Sequence, residues 1–398
     1  MNLLVLSPFY PWPLEQGGKI RVFNLVRQLA HHHEVTLACL AEAEPADRGP
    51  LTEFCREVLT VPRPPSPLRD LASFLGRGEA YNVARYASHS FRQALAQLAT
   101  RQRFDLVLVE FSLLWPYAGL FPGVPVVLDA HNVEAEIVRQ LGESCRNPLK
   151  RLLYQREERL LRHLEEAAWR ECALCLAVSV REQATIAAAC GVPGKVESVP
   201  NGVDLERFDF QPKERPGIKV LFLGGMEYGP NLDAGRWFLT DVFPKLRNTL
   251  PAVEVDVVGR QLAKLGDLVA QPGVRIHENV PDVLPFFRGA DLLAVPLRLG
   301  AGTRLKILEA MAAGLPVVAT AKGCEGIAAV DGEHLLVADG TEVFARAVAR
   351  LLADCELAGR LAHNARQLVT ERYSWEELGA RLEGLLAGVA RVARGGSA

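Results

Sequence analysis

Short unbroken apolar runs recur along the chain, each closed by Pro, Gly or a polar turn. Leu3–Ser7 is the first, ended by Pro8; Glu34–Leu40, Val58–Val61, Leu106–Val109, Val124–Leu128, Ala173–Val178 and Val196–Val199 follow. Apolar residues at consecutive positions, not alternate ones, predict strands buried on both faces, as in a parallel sheet. Helical periodicity fills several of the gaps: Lys19–Ala30 carries Ile20, Val22, Phe23, Val26 and Leu29 at helical spacing. Strands alternating with helices predict an α/β fold whose sheet is covered on both faces.

The pattern then restarts. Ile218–Leu223, Glu254–Val258, Val274–His277, Leu292–Pro296, Pro316–Thr320 and His334–Val337 read as strands. Helices are predicted over about Asn231–Leu250, Val283–Arg288, Thr303–Ala313, Val343–Ala353 and Glu356–Glu371. A polar, Pro-bracketed stretch, Gln211–Gly217, marks the joint. The expected organisation is an N-terminal domain over residues 1–204, a linker over 205–217 and a C-terminal domain over 218–373. Each domain reads as a Rossmann-like, doubly wound parallel sheet. Ligands of such sheets bind beyond the carboxyl ends of the strands, so the expected site is an interdomain cleft.

Composition narrows the class of protein. The 398 residues include 45 Lys and Arg against 47 Asp and Glu, a formal net charge of −2. Hydrophobic residues make up 49% and charged residues 23%, a globular balance that excludes a disordered or fibrous chain. No basic excess is present to track a phosphate backbone, so nucleic acid is not an expected partner. The eight cysteines are scattered, which fits a reducing compartment. Cys172 and Cys175 have CxxC spacing, but no second pair completes a zinc site, and the run around them reads as a core strand. His31–His33 reads as the end of a helix, where His suits the dipole. Met1–Pro8 lacks a basic region, and no run approaches the roughly 20 apolar residues of a membrane span, so a cytoplasmic location is expected.

One segment departs from the alternation. Arg139–Arg170 holds eight Lys or Arg and five Glu, with Leu149, Leu152, Leu153, Leu160, Leu161 and Leu164 at helical spacing. The favoured reading is a surface helix with Glu–Arg pairs. The alternative is a basic amphipathic helix in peripheral contact with the inner face of a membrane. Two aromatic-rich segments, Phe9–Gln16 and Phe111–Phe121, read either as faces toward a lipid-linked acceptor or as packing.

The stretch from Val295 to Gly314 carries the most chemistry. A strand ends, a turn with Gly300 and Gly302 follows, and a helix starts near Thr303. Glycines let a ligand approach the backbone, and free N–H groups at a helix start suit a phosphate. Gly302, Lys306 and Glu309 fall at i, i+4 and i+7, hence on one helix face. A cation near the phosphate end and a carboxylate further along match a nucleoside diphosphate: Lys neutralises the leaving group and Glu accepts from ribose hydroxyls. An ordinary Lys306–Glu309 surface pair is the competing reading. Gly300–Leu305 lacks the third glycine of a dinucleotide fingerprint; no phosphate-binding GxxxxGK[ST] loop and no Asp-x-Asp metal motif in a plausible loop occur. A metal-free mechanism without a cofactor is therefore expected, with protein cations doing the work of Mg²⁺. Gly17-Gly18 after the first strand, His131-Asn132 after the strand Val124–Leu128, and Gly224-Gly225 with Pro230-Asn231 after Ile218–Leu223 all fall at carboxyl ends of strands.

Together these residues resemble the GT-B glycosyltransferases of the family 4 type, over nearly the whole length. Gly17-Gly18, His131-Asn132, Asn201–Asp204, the 300–314 segment and Tyr373–Glu376 carry the resemblance, and the Leu308–Gly314 run, Leu-Glu-Ala-Met-Ala-Ala-Gly, is the most specific of them. The resemblance implies a retaining, metal-independent transfer from a nucleotide sugar to a glycan or lipid-linked acceptor in polysaccharide or glycolipid assembly. It also implies an acceptor-binding first domain, a donor-binding second domain, and a last helix, within 374–398, that crosses back. By matching positions, Gly18 would approach the donor phosphate, His131 the transferred sugar and Glu309 the ribose. Gly17, Gly225, Asn231, Gly302 and Thr303 complete the implied donor site, with His131, Arg304 and Lys306 as the catalytic set. Two departures stand out. Ala301 occupies a position where the family often has Glu, and Gly224–Asn231 lacks the usual Arg and Lys. Arg304 and Lys306 are expected to replace those cations. A nucleotide-sugar epimerase of the same fold and a non-catalytic sugar-binding protein are the alternatives.

Overall fold

The computed structural model describes residues 1–213, 217–300 and 304–395. Two compact units emerge, Met1–Pro200 with Leu378–Ala398, and Asn201–Glu377. In the first, β1 (Asn2–Ser7), β2 (Glu34–Ala41), β3 (Glu57–Pro62), β4 (Leu106–Glu110), β5 (Val126–Ala130), β6 (Leu174–Ala177) and β7 (Val196–Ser198) form one sheet in the order β3-β2-β1-β4-β5-β6-β7. In the second, β8 (Lys219–Leu223), β9 (Glu254–Gly259), β10 (Val274–Glu278), β11 (Leu292–Val295), β12 (Val317–Ala319) and β13 (Leu336–Val337) are ordered β10-β9-β8-β11-β12-β13. Every strand pairing is parallel. The apolar runs at the centre of each sheet are thus buried on both faces, the condition that selects such runs, while the edge strands β3 and β10 are more exposed. Strand order reverses between β1 and β4 and again between β8 and β11, so each unit has its own topological switch point.

Glycine holds the second switch point together. β9 ends at Gly259, where an added Cβ would lie 2.0 Å from the carbonyl oxygen of Gly224, just past β8. Backbone cannot yield as a side chain can. Gly259→Ala is therefore expected to cost about 3 kcal/mol, at the upper end of overpacking penalties; chemical denaturation with an unchanged m-value measures it.

Three expectations are corrected. The helix predicted over Asn231–Leu250 is three pieces: Gly229–Trp237, a wide π-type turn Phe238–Val242, and Phe243–Thr249. Pro244 explains the break, because it has no N–H to continue the ladder and its ring crowds the preceding turn. Arg139–Arg170 is not one helix but two, Glu134–Ser144 and Pro148–Glu171. Asn147 caps the second, its Oδ1 accepting from the N–H groups of Leu149 (3.0 Å) and Lys150 (3.1 Å), and Pro148 follows at the first helical position. Leu205–Lys213 is packed chain, not a free connector: Phe208 is buried in the second core and Gln211 N–H donates to Ala313 O at 3.0 Å.

Phe111–Phe121 is mostly packing. It forms a 3₁₀ helix, Ser112–Leu120, that buries Leu113, Leu114 and Tyr117. In the Phe9–Gln16 loop, Tyr10 is buried and donates to Arg48 O at 2.7 Å. Cys172 and Cys175 are buried, as core residues are. His33 lies 3.7 Å from Glu383 on the last helix, Trp375–Gly395. Among the described residues no helix is long and apolar enough to cross a membrane.

Candidate active site

In the first unit the site is built at the carboxyl ends of β1, β4, β5 and β6. Parallel register sets Glu110, the last residue of β4, opposite Asp129 in β5. Two carboxylates so placed in a dry sheet need cations. Arg21, buried in the Gly17–Ala30 helix, supplies one: its Nε and Nη2 donate to the two Asp129 oxygens at 2.8 and 2.9 Å, and its Nη1 to Pro200 O at 2.9 Å. His131, just past β5, answers Glu110, with Nε2 2.6 Å from Oε2. Burial and the charge of Asp129 push the Glu110 pKa up; the contact with His131 pulls it down. Donor atoms of Glu110, Asp129 and His131 lie close enough together to suit a metal ion. The cation that Asp129 faces here is Arg21, and Glu110 is taken by His131.

The imidazole is fixed on a second side. Its ring stacks on Phe111 at 3.8 Å and 19°. Phe111 holds φ at +67°, a backbone state costing a non-glycine residue about 1–3 kcal/mol. Such strain persists only where the surroundings impose it, and here it turns the ring onto His131. Phe9 meets Phe111 edge-on at 5.7 Å, and a Cβ on Gly18 would lie 3.1 Å from Phe9 and 3.3 Å from Phe111. Gly18 is thus required by this aromatic pair, whatever ligand it also approaches. Gly17 and Gly18 open their helix with no side-chain cap and no acid in the first turn, leaving N–H groups for an anion.

Carboxylates behind the site arrange its loops. Glu165 of the Pro148–Glu171 helix accepts from the N–H groups of Glu134 (2.8 Å) and Ala135 (3.0 Å), and from Ser112 Oγ (3.2 Å). It therefore caps the helix that follows His131-Asn132; burial lifts its pKa to about 7. Ser179 caps the helix after β6, its Oγ accepting from Glu182 N–H (3.2 Å) and donating to Glu182 Oε2 (3.1 Å), and burial lifts Glu182 to about 7 as well.

The second unit places Lys306 and Asn231 together at its switch point. Lys306, in the Leu305–Ala313 helix after β11, reaches across to β8. Its Nζ donates to Leu223 O and lies 3.4 Å from Asn231 Oδ1. Asn231 Nδ2 donates to Gly225 O at 3.1 Å, and a Cβ on Gly224 would stand 2.8 Å from the Asn231 amide. Gly224 is thus small because Asn231 folds over the turn. Burial, then the neighbouring Arg304, lowers the Lys306 pKa to about 8. Glu309, one turn along, is half-buried, and burial raises it to about 7 against the pull of Arg207 and Lys306. Arg304 is buried and shares a hydrogen bond with Tyr228. Gly302 and Thr303, like Ala301, lie outside the described residues.

The structure therefore joins Lys306, Asn231, Gly225 and Glu309 in one unit, and gives His131 and the Gly17-Gly18 helix start to the other. Sequence reasoning missed Glu110, Asp129, Arg21, Phe111 and Tyr228. The first three carried a signal, since each is a charge inside or at the end of an apolar segment.

Comparison with known proteins fits this geometry. The family model "Glycosyltransferase Family 4" matches residues 16–207, and "Glycosyl transferases group 1" matches residues 217–354. The chain is 32% identical over 233 residues to a GDP-mannose-dependent alpha-(1-6)-phosphatidylinositol monomannoside mannosyltransferase of Mycolicibacterium smegmatis, covering 53% of this chain and 61% of that protein. The match thus spans less than two thirds of that relative. In fold, the chain is similar to sucrose-phosphate synthase from Thermosynechococcus elongatus, with TM-score 0.73, 18% identity, and 98% and 100% of the two chains covered. Anabaena HepE in complex with UDP and glucose gives TM-score 0.69 and 15% identity, with 98% and 100% covered. With one glycosyltransferase model matched to each half and one fold shared across nearly the whole length, the chain is a glycosyltransferase of GT-B fold, similar to those of the family 4 type.

Proposed function

We propose that the protein is a retaining, metal-independent glycosyltransferase. It moves a sugar from a nucleoside-diphosphate donor to a hydroxyl of a glycan or lipid-linked acceptor, in the assembly of a surface polysaccharide or glycolipid. The observation that carries this reading is the pairing of Lys306 and Asn231 over the Gly224-Gly225 turn, with Glu309 one turn further along the same helix. A cation and backbone at the end of β8 suit a diphosphate, and a carboxylate one helical turn away suits a ribose. Relatives support the substrate class: HepE was solved with UDP and glucose, and the mycobacterial relative is named for GDP-mannose and a phosphatidylinositol mannoside.

In this mechanism the acceptor hydroxyl attacks from the face on which the diphosphate departs, and the departing phosphate oxygen takes the hydroxyl proton. Lys306 neutralises the charge that develops on the diphosphate, and Arg304, held by Tyr228, adds to the positive field. Those two cations and Arg21, which already answers Asp129, support a reaction that needs no metal. Gly17-Gly18 offers N–H groups to the donor phosphate, and His131 holds the transferred sugar. The test is incubation with a panel of nucleotide sugars, watching release of nucleoside diphosphate and, by NMR, the anomeric configuration of the product. An inverted product would end the retaining assignment. Epimerisation without transfer would favour a nucleotide-sugar epimerase, and tight binding without turnover a sugar-binding protein.

The two titrating groups predict the pH dependence of donor affinity. A bound diphosphate favours protonated Lys306, so its pKa is higher in the complex than the value of about 8 in the free protein. Binding then takes up a proton above about pH 8, and affinity falls there by up to tenfold per unit. A ribose hydroxyl donates best to ionised Glu309, whose pKa is about 7, so affinity also falls below that pH. Calorimetry should give an optimum between about pH 7 and 8. Lys306→Arg should remove the alkaline limb and Glu309→Gln the acid one.

A further inference from the structure

On the reading of the Gly224-Gly225 turn as the donor's diphosphate site, we propose that Arg260 is a further contact for that diphosphate and that the Glu227 carboxylate holds its place in the free protein. Residues 224–231 contain no Lys or Arg. The fold brings a cation to them from another strand. Arg260 follows Gly259 at the end of β9, and the backbone there closes on the turn: Gly224 N–H donates to Val258 O at 2.9 Å, and Met226 N–H to Arg260 O at 2.8 Å. Gln261, the next residue, has φ +54° and ψ +40°, a left-handed state uncommon for a residue with a side chain, so the chain bends away directly after Arg260. Lys264 adds a second cation, with Nζ 3.5 Å from Met226 O.

The Arg260 guanidinium already has an anion. Its Nε and Nη2 lie 2.9 and 2.6 Å from Glu227 Oε1. That carboxyl group covers the glycine turn: a Cβ on Gly225 would stand 2.4 Å from Glu227 Oε2 and 2.6 Å from Oε1 and the carboxyl carbon. A carboxylate thus fills the space that glycine leaves beside the backbone, with a guanidinium against it. Lys306, which donates to Leu223 O, stands at the start of the same turn. A glycine turn with cations around it selects an anion, and in the free protein that anion is the chain's own. Glu227 and a diphosphate carry the same sign and compete for one place and one guanidinium, so one of them must leave. Glu227 is able to leave, because the end of a flexible side chain swings aside without moving backbone. Its pairing with Arg260 is partly exposed, 34% for Glu227 and 46% for Arg260, where an ion pair contributes little to stability. The planar guanidinium fits two phosphate oxygens as well as it fits a carboxylate. Only a ligand that carries charge can take over the guanidinium, so the exchange favours a nucleoside diphosphate over a neutral nucleoside.

The test is calorimetric titration of the full chain and its variants with UDP and GDP. Glu227→Gln should tighten binding of whichever nucleotide the parent binds by about two- to fivefold, the scale of an exposed ion pair. Arg260→Met should weaken it by at least roughly tenfold, as for a lost charge-assisted hydrogen bond. In the double variant the gain from Glu227→Gln should vanish, because no guanidinium remains to hold a carboxylate over Gly225. Uridine and guanosine, which lack phosphate, should bind all four proteins alike. Both positions are exposed, so thermal melting should match the parent. Weaker binding by Glu227→Gln would make Glu227 a ligand of the donor, and unchanged binding would make the pair an ordinary surface pair; either result overturns the inference. So does an undiminished gain in the Arg260→Met background, which would reduce Glu227 to a source of repulsion. In all three cases the parent still binds nucleotide, and the reading of the turn as a diphosphate site stands. A parent that binds neither UDP nor GDP removes that reading, and the inference with it.

Discussion

Lys306→Met is expected to lower kcat/KM for nucleotide-sugar turnover by roughly 10²–10³-fold, the usual cost of removing one preorganised donor from a site of developing charge. It is also expected to raise the melting temperature. The two effects have one cause. Burial and the charge of Arg304 depress the Lys306 pKa from 10.5 to about 8, so the charged amine is less favourable in the folded chain than in the unfolded one, even with Leu223 O and Asn231 beside it. A base with a depressed folded pKa costs stability below that pKa, and the cost fades as pH rises from about 8 toward the unfolded value. At neutral pH the ammonium is thus held against its preference, ready for a diphosphate. Methionine fills similar space without the charge. The melting gain should be largest near neutral pH and vanish near pH 10.5, the unpaired lysine value. A variant that melts lower at neutral pH, or that keeps its turnover, would remove Lys306 from this role.

Much of the fold is legible in the order of the amino acids alone. The central strands coincide with apolar runs, because a strand buried on both faces leaves no room for polar residues; β10, an edge strand with Arg275, His277 and Glu278, is largely exposed. The helix breaks are less visible, although Asn147-Pro148 is a cap signal and Pro244 a breaker. In the 139–170 stretch, leucines at helical spacing outweigh the one Pro that divides it. Lys306 and Glu309 are legible because a single helix carries both, and three residues of spacing fix their relation.

The charged network beneath His131 is not legible in the same way. Arg21 and Asp129 are 108 positions apart, and Glu110 precedes His131 by 21. Their meeting depends on the β1-β4-β5 strand order and on the Glu110–Asp129 register. Spacing gives neither. What the chain does contain is an anomaly: Asp129 within an apolar strand and Arg21 between Ile20 and Val22. A charge in a buried run demands a partner, so the existence of the network follows from the sequence even though its members cannot be matched there.

The same network yields the second large effect. His131→Ala should lower kcat by roughly 10²–10³-fold while donor affinity changes little, because Lys306, Asn231 and Glu309 stand in the other unit and keep the nucleotide. Glu110→Gln should give an intermediate loss, about 10–100-fold in kcat, as expected for removing a partner that orients a working group. Glu110 acts through His131: its carboxylate, 2.6 Å from Nε2, fixes which ring nitrogen carries the proton, while Phe111 fixes the ring plane. A purely structural role for Glu110 would lower stability and leave kcat of the folded protein unchanged. An orienting role predicts more. Without the carboxylate the ring loses the contact that sets its tautomer, so kcat falls while donor KM stays near that of the parent. Steady-state kinetics beside thermal melting of the two proteins read this directly. Glu110→Asp, which keeps the charge but shortens its reach, should restore stability better than turnover, and that split would separate the effect of charge from that of position.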